Sequence, residues 1–153
     1  MQPAVERYVA RLTDAGIDVE VREFSESTHT AAEAAQAIGC PVAAIVKSLV
    51  FELDGEPLLV LVSGVNRVDT AALGTRLGGT LGKADAAAVK TATGYSIGAV
   101  PPIGHDTPLR TVLDESLLEL PIVWAAAGSA TAVFGIEPES LALLSGAEVV
   151  PVV

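Results

Sequence analysis

Lys47 is the only cation in the apolar run "IVKSLVFEL" (45–53), so its type and position raise the first chemical question. Strand alternation sets it on one face with Leu49, Phe51 and Leu53, which read as core. A buried ammonium is expensive unless it finds a partner. Lys47 therefore either lines the mouth of a cleft or snorkels out at the strand end. The second candidate is a backbone. The stretch "TGYSIGAVPPIGH" (93–105) carries Gly94, Gly98 and Gly104 with the adjacent Pro101 and Pro102, and it fits neither a regular strand nor a helix. It reads as a plain crossover loop or as a binding surface that offers N–H and C=O groups to a ligand. One cation beside one irregular backbone suits the recognition of an anion and a small polar group. That describes a binding site and leaves the reaction open.

Other chemistries have less support. Zinc needs a cluster of ligands, whereas the chain has one cysteine, Cys40, and two distant histidines, His29 and His105. "GGTLGKA" (78–84) has the outline of a phosphate loop, but its first glycine is misplaced and Ala84 stands where Ser or Thr is needed. No serine lies in a nucleophile elbow. Cys40, before Pro41, reads as a small buried residue, and the histidines read as capping or surface groups. Neither a metal nor a cofactor is expected.

Composition narrows the setting. The chain has 153 residues, 50% of them hydrophobic, which suits one compact domain spanning 1–153. No apolar run reaches the roughly 18–20 residues of a membrane span. The N-terminal "MQPAVERYVARL" is charged and amphipathic without an apolar signal region, so a cytoplasmic protein is expected. A single cysteine fits that compartment. The net charge of −10, from nine Lys and Arg against nineteen Asp and Glu, argues against a broad grip on a duplex. DNA and membrane are not expected partners, and contact with any nucleic acid must be local.

The elements that would position these residues follow from periodicity and stop signals. Residues 3–14 read as an amphipathic helix ended by Gly16, "IDVEVREF" (17–24) as a strand, and the segment after Thr30 as a helix with a capping box to Glu33, stopped by Gly39. Asp54-Gly55 between two β-rich runs is a hairpin signal. Short helices are expected from near Asp69 and over "KADAAAVKTATG" (83–94). The runs "RTVLD", "PIVWAAAG" and "TAVFGI" follow, then a helix "PESLALLSG" and a closing strand "AEVVPVV". The hairpin excludes a purely parallel sheet. The pattern predicts a mixed α/β (α+β) fold: a curved mixed sheet or partly closed barrel with helices packed outside.

Several of these stretches, in order and at matching spacing, resemble the YbaK/EbsC family of aminoacyl-tRNA deacylases, which includes free-standing relatives of the prolyl-tRNA synthetase editing domain. They are "HTAAEAAQAIG", "IVKSLVF", "LVLVSGVNRVD", "KADAAAVKTATGYSIGAVPPIGH" and "VWAAAGS", from about Thr28 to the C-terminus. The resemblance implies a YbaK-like fold and hydrolysis of the ester of a mischarged small amino acid at the tRNA 3′ end. It places the family lysine on Lys47 and the family Gly-x-x-x-Pro loop on Gly98 to Pro102. It implies catalytic roles for Lys47 and Gly98, and substrate contacts at Ser48, Tyr95, Ala99, Val100, Pro101, Pro102 and Ala126. N–H groups around Gly98 would stabilise an oxyanion, Lys47 would meet phosphate or developing charge, and the substrate's ribose hydroxyl would help position the water. The implied partner is the acceptor end of an aminoacyl-tRNA, with transient association with an aminoacyl-tRNA synthetase as a further expectation. Pro101, Ala126 and Ser48 depart from the residues common in relatives, which leaves the choice of amino acid open. A module that binds the same end without turnover, and a small-molecule binding domain, are the alternatives.

Overall fold

The computed structural model of the chain describes residues 2–24 and 30–153. His29, and with it the start of the "HTAAEAAQAIG" stretch, lies outside them. Helix α1 (Pro3–Asp14) opens with proline in its first turn and buries Val5, Tyr8 and Leu12, one stripe at helical spacing. Strand β1 (Glu20–Glu23) is shorter than the alternation of 17–24 suggests. Helix α2 (Ala31–Ile38) begins at Thr30, whose hydroxyl oxygen accepts the Glu33 N–H at 3.1 Å, and ends at the left-handed Gly39.

Strands β2 (Val46–Leu53) and β3 (Glu56–Ser63) form the expected hairpin. Asp54 and Gly55 both have positive φ, 51° and 84°, as a two-residue turn of the I′ kind requires. Helix α3 (Thr70–Leu77) is capped by Asp69, and helix α4 (Ala86–Thr93) by Asp85. Between them, "GGTLGKA" contributes a short strand β4 (Leu81–Lys83) that sequence reading missed, three residues being too few for a periodicity to register. Strands β5 (Arg110–Asp114), β6 (Val123–Ala126) and β7 (Ala132–Ile136), helix α5 (Pro138–Ser145) and strand β8 (Glu148–Val150) complete the order.

The strands make two sheets, β1-β7-β6 and β4-β2-β3-β5-β8. The larger one is mixed, since β2 is antiparallel to β3 and β4 whereas β3-β5 and β5-β8 are parallel. The two sheets touch through an isolated bridge, Ile45 to Trp124. Of the two expected forms, the mixed sheet is present and the sheets do not close into a barrel. One buried cluster joins Val46, Leu59, Leu61 and Leu113 of the large sheet to Val123, Ala125 and Phe134 of the small one, with Tyr8 and Leu12 of α1. The opposite face of the large sheet buries Phe51, Leu53, Leu58, Val60 and Val62 with Leu73 of α3.

Strand β4 positions the site by stopping early. It pairs with β2 only at Phe51, Glu52 and Leu53. Between that pairing and the Ile45 bridge, residues 46–50 of β2 have no strand partner on their outer edge among the described residues. Leu49, expected in the core beside Phe51 and Leu53, is 36% exposed, at a position where the β4 pairing has already ended.

Candidate functional site

The gap where β2 and β6 diverge is a cavity of about 540 Å³. Its floor is the uncovered stretch of β2 with Lys47 and Ser48, and one wall is Trp124 and Ala126 of β6. The opposite wall comes from the 94–104 loop through Ile97, Gly98 and Val100. A strand edge carries main-chain donors and acceptors that await a partner, so this cavity combines mostly apolar side chains with a polar backbone edge. Trp124 packs flat on Gly135, where an added Cβ would meet the indole at 3.0 Å, and the Arg22 guanidinium lies 4.7 Å from the indole ring centroid.

Lys47 is half-buried, and its Nζ donates to the Asn66 carbonyl at 2.5 Å. Burial pushes its pKa below the ordinary lysine value, and the nearby Arg67 pushes the same way, while Asp114 opposes them. Asn66 is itself anchored: its side-chain amide donates to Asp114 Oδ2 at 2.9 Å and to Ser116 Oγ at 3.0 Å. Asp114, buried at the end of β5, also accepts from the Ser63 N–H and from the N–H and hydroxyl of Ser116. A carboxylate so supplied with donors is a rigid post, and the lysine's acceptor hangs from it. Sequence reading missed Asn66 and Asp114. The signal was present in a buried acid closing the apolar run "RTVLD", which needs donors to be tolerated.

The loop's opening half is a tight turn. The Ala99 N–H donates to the Ser96 carbonyl at 3.0 Å, and Gly98, third of the four residues, has φ +88°, as a type II turn requires. Among the described residues, no atom lies within 4 Å of where a Gly98 Cβ would sit, so the turn's conformation, not crowding, calls for glycine. The N–H groups of Ile97 and Gly98 have no acceptor among the described residues. Ser48 Oγ, on the cavity floor, is a buried hydroxyl with no partner among them either.

The closing half of the loop is fastened to α1. Tyr8 Oη donates to the Ile103 carbonyl at 2.7 Å, and Arg11 donates to the Gly104 carbonyl at 2.6 Å. His105 Nε2 bonds the Pro101 carbonyl at 2.7 Å, and burial lowers its pKa, which favours the neutral ring as donor. Pro101 and Pro102 are buried within the loop. Of the residues singled out in sequence, Lys47, Ser48, Gly98, Val100 and Ala126 line one cavity. Tyr95 and Ala99 line a second depression on the other side of the turn. Cys40 is half-buried with its thiol pKa raised by burial, the wrong direction for a nucleophile.

The family model "Aminoacyl-tRNA editing domain" matches residues 25–144. A crystal structure of a candidate trans-editing enzyme for prolyl-tRNA synthetase superposes with a TM-score of 0.93 at 45% identity, covering 99% of this chain and 97% of that one. Protein YwhH of Bacillus subtilis (strain 168), whose role is uncharacterised, is 30% identical over 131 residues, 85% of this chain and 83% of YwhH. Proline--tRNA ligase of Desulfovibrio desulfuricans is 34% identical over 82 residues, which cover 53% of this chain but only 14% of the ligase. With most of its length inside the family model and its fold shared with a relative at 45% identity, the chain belongs to the aminoacyl-tRNA editing domain family.

Proposed function

We propose that the protein is a trans-editing deacylase that hydrolyses the ester of a mischarged small amino acid at the 3′ end of tRNA. The observation that carries this reading is the cavity itself, which gathers Lys47, Ser48, Gly98 and Ala126 around an uncovered strand edge. Water would add to the ester carbonyl carbon, the carbon–oxygen bond to the ribose would break, and the ribose oxygen would leave with a proton. The free N–H groups of Ile97 and Gly98 are suited to receive the oxyanion, in the way preorganised donors stabilise acyl-transfer transition states. Lys47 would meet the terminal phosphate or the developing charge. The apolar walls, with Val100, Ala126 and Trp124, suit a small aliphatic side chain, and the unpartnered Ser48 hydroxyl would read a polar atom of the substrate. Tyr95 and Ala99 would contact the nucleotide on the far side of the turn, while Pro101 and Pro102 hold the loop's shape.

The cytoplasm and a passing association with a synthetase belong to this proposal. Among the described residues, no helix is long and apolar enough to cross a membrane. One observation favours a second reading, a binding module without turnover: the Lys47 ammonium is already engaged by the Asn66 carbonyl. A panel of mischarged tRNAs separates the two. The deacylase releases amino acid from at least one of them faster than the ester decays alone, whereas the binding module protects it or leaves it unchanged.

A further inference from the structure

More than half of the few cations of this acidic chain gather at two concavities. Lys47 and Lys83 line the cavity, and Arg7, Arg11 and Lys90 line the second depression, of about 370 Å³. Five of the nine Lys and Arg residues therefore stand at these two concavities. Against them, among the described residues, stands one acid, Asp106, out of a chain with nineteen Asp and Glu. Asp106 is taken by Arg11. Arg7 and Lys90 are exposed and have no carboxylate within salt-bridge distance among the described residues.

A single turn separates the two concavities. Ile97 and Gly98 face the cavity, whereas Tyr95, Ser96 and Ala99 face the depression. Arg7 and Arg11 lie one helical turn apart on α1, so they stand on one face, and Lys90 approaches from α4. Tyr95 is half-buried and packs edge-on against Tyr8, their ring centroids 6.4 Å apart. Cations beside an aromatic ring form the surface that single-stranded nucleic acid uses, through phosphate contacts and base stacking.

We infer that the depression walled by Arg7, Lys90 and Tyr95 docks the single-stranded 3′ end of the RNA. The strand crosses the 96–99 turn so that its last residue enters the Lys47 cavity. Phosphates upstream of the terminal nucleotide meet Arg7 and Lys90, with Arg11 as a fixed neighbour, and a base rests against Tyr95. This rests on the editing reading for the identity of the RNA, and it explains how a chain of net charge −10 can hold a polyanion. The positive ground is local and stops at a few nucleotides.

The test is equilibrium binding of an uncharged RNA hairpin bearing a single-stranded 3′ overhang, beside the same hairpin made blunt, at low salt. The overhang should be required for tight binding. Arg7→Ala combined with Lys90→Ala should weaken binding on the order of tenfold. The slope of log affinity against log salt should fall by about 0.7 for each phosphate that no longer meets a cation. Arg110→Ala removes the same kind of charge from outside both concavities and should leave affinity unchanged. Equal binding of blunt and overhanging hairpins, undiminished binding by the double variant, or no binding by the parent protein would each overturn the inference. If the overhang binds through Arg7 and Lys90 while no mischarged tRNA is deacylated, docking stands and the deacylase reading fails. The reverse outcome, deacylation indifferent to the double variant, removes the docking path alone.

Discussion

The Lys47 ammonium is held 2.5 Å from the Asn66 carbonyl, and the Asn66 side chain is in turn held 2.9 Å from Asp114. The cation is therefore placed by a backbone oxygen whose loop is pinned to a buried carboxylate. Asn66→Ala removes two side-chain hydrogen bonds and leaves the lysine intact. It should cost about 1 kcal/mol in stability, or up to about 2 if the vacated acceptors stay unpaired. It should also lower deacylation severalfold while the pH profile shifts, because the lysine loses its fixed acceptor. A loss of stability with no change in the pH profile would make Asn66 a structural residue only.

Asp114→Ala should be more damaging, since it leaves the buried Ser63 N–H without its acceptor along with the Ser116 and Asn66 donors. A loss of about 3 kcal/mol is expected from several unpaired buried groups. Chemical denaturation of the variant checks it, and a loss under about 1 kcal/mol would show that the post is dispensable.

The charge state of Lys47 gives a stability prediction with a definite sign. Its folded pKa is lowered, so in the window just below lysine's ordinary value the unfolded chain binds more protons than the folded one. Stability carried by this residue therefore rises with pH through that window and is smallest where the ammonium is fully charged. Lys47→Met removes the penalty and should be neutral or slightly stabilising at about pH 7. Thermal midpoints of parent and variant from about pH 7 to 10 should converge toward the alkaline end, and divergence there would contradict the account.

Ser48→Ala deletes a hydroxyl that has no partner within the described protein. Its removal should leave stability unchanged or raise it by up to about 1 kcal/mol. If the hydroxyl reads the substrate, the same variant raises KM with little change in kcat. An unchanged KM would leave Ser48 as cavity floor.

Gly98 carries two demands that substitution can separate. Alanine at φ +88° costs roughly 1 kcal/mol of backbone strain, whereas asparagine tolerates that region better. Gly98→Ala should lower deacylation well beyond Ala99→Gly, with Pro102→Ala between them. If Gly98→Asn keeps the fold stable yet is equally inactive, ligand approach and not turn geometry is what the position needs. Full activity in both Gly98 variants would reduce the loop to a connector.

Much of this was legible in the sequence because it is local. Asp54-Gly55 states its hairpin, Thr30 its capping box and Asp69 the start of its helix, and the apolar runs state the other strands apart from the three-residue β4. Lys47 stood out because a cation in an apolar strand needs a reason. Three further things were not legible. Leu49 looked like core because alternation says nothing about where a neighbouring strand ends, and the β4 pairing ends at Phe51. The Asn66–Asp114 link joins residues 48 positions apart through a parallel strand pairing that no periodicity reveals. Arg7 and Lys90 are far apart in sequence, and only the packing of α1 and α4 brings them to one depression.

Single-turnover deacylation by parent protein and Lys47→Ala, on whichever mischarged tRNA the panel selects, decides whether the Lys47 cavity hydrolyses an aminoacyl ester. The parent should hydrolyse the ester above the spontaneous rate. The variant should lose at least about tenfold, a barrier rise of roughly 1.4 kcal/mol, at an unchanged thermal midpoint. Equal rates for parent and variant, or no hydrolysis of any ester in the panel, would contradict that role of the cavity.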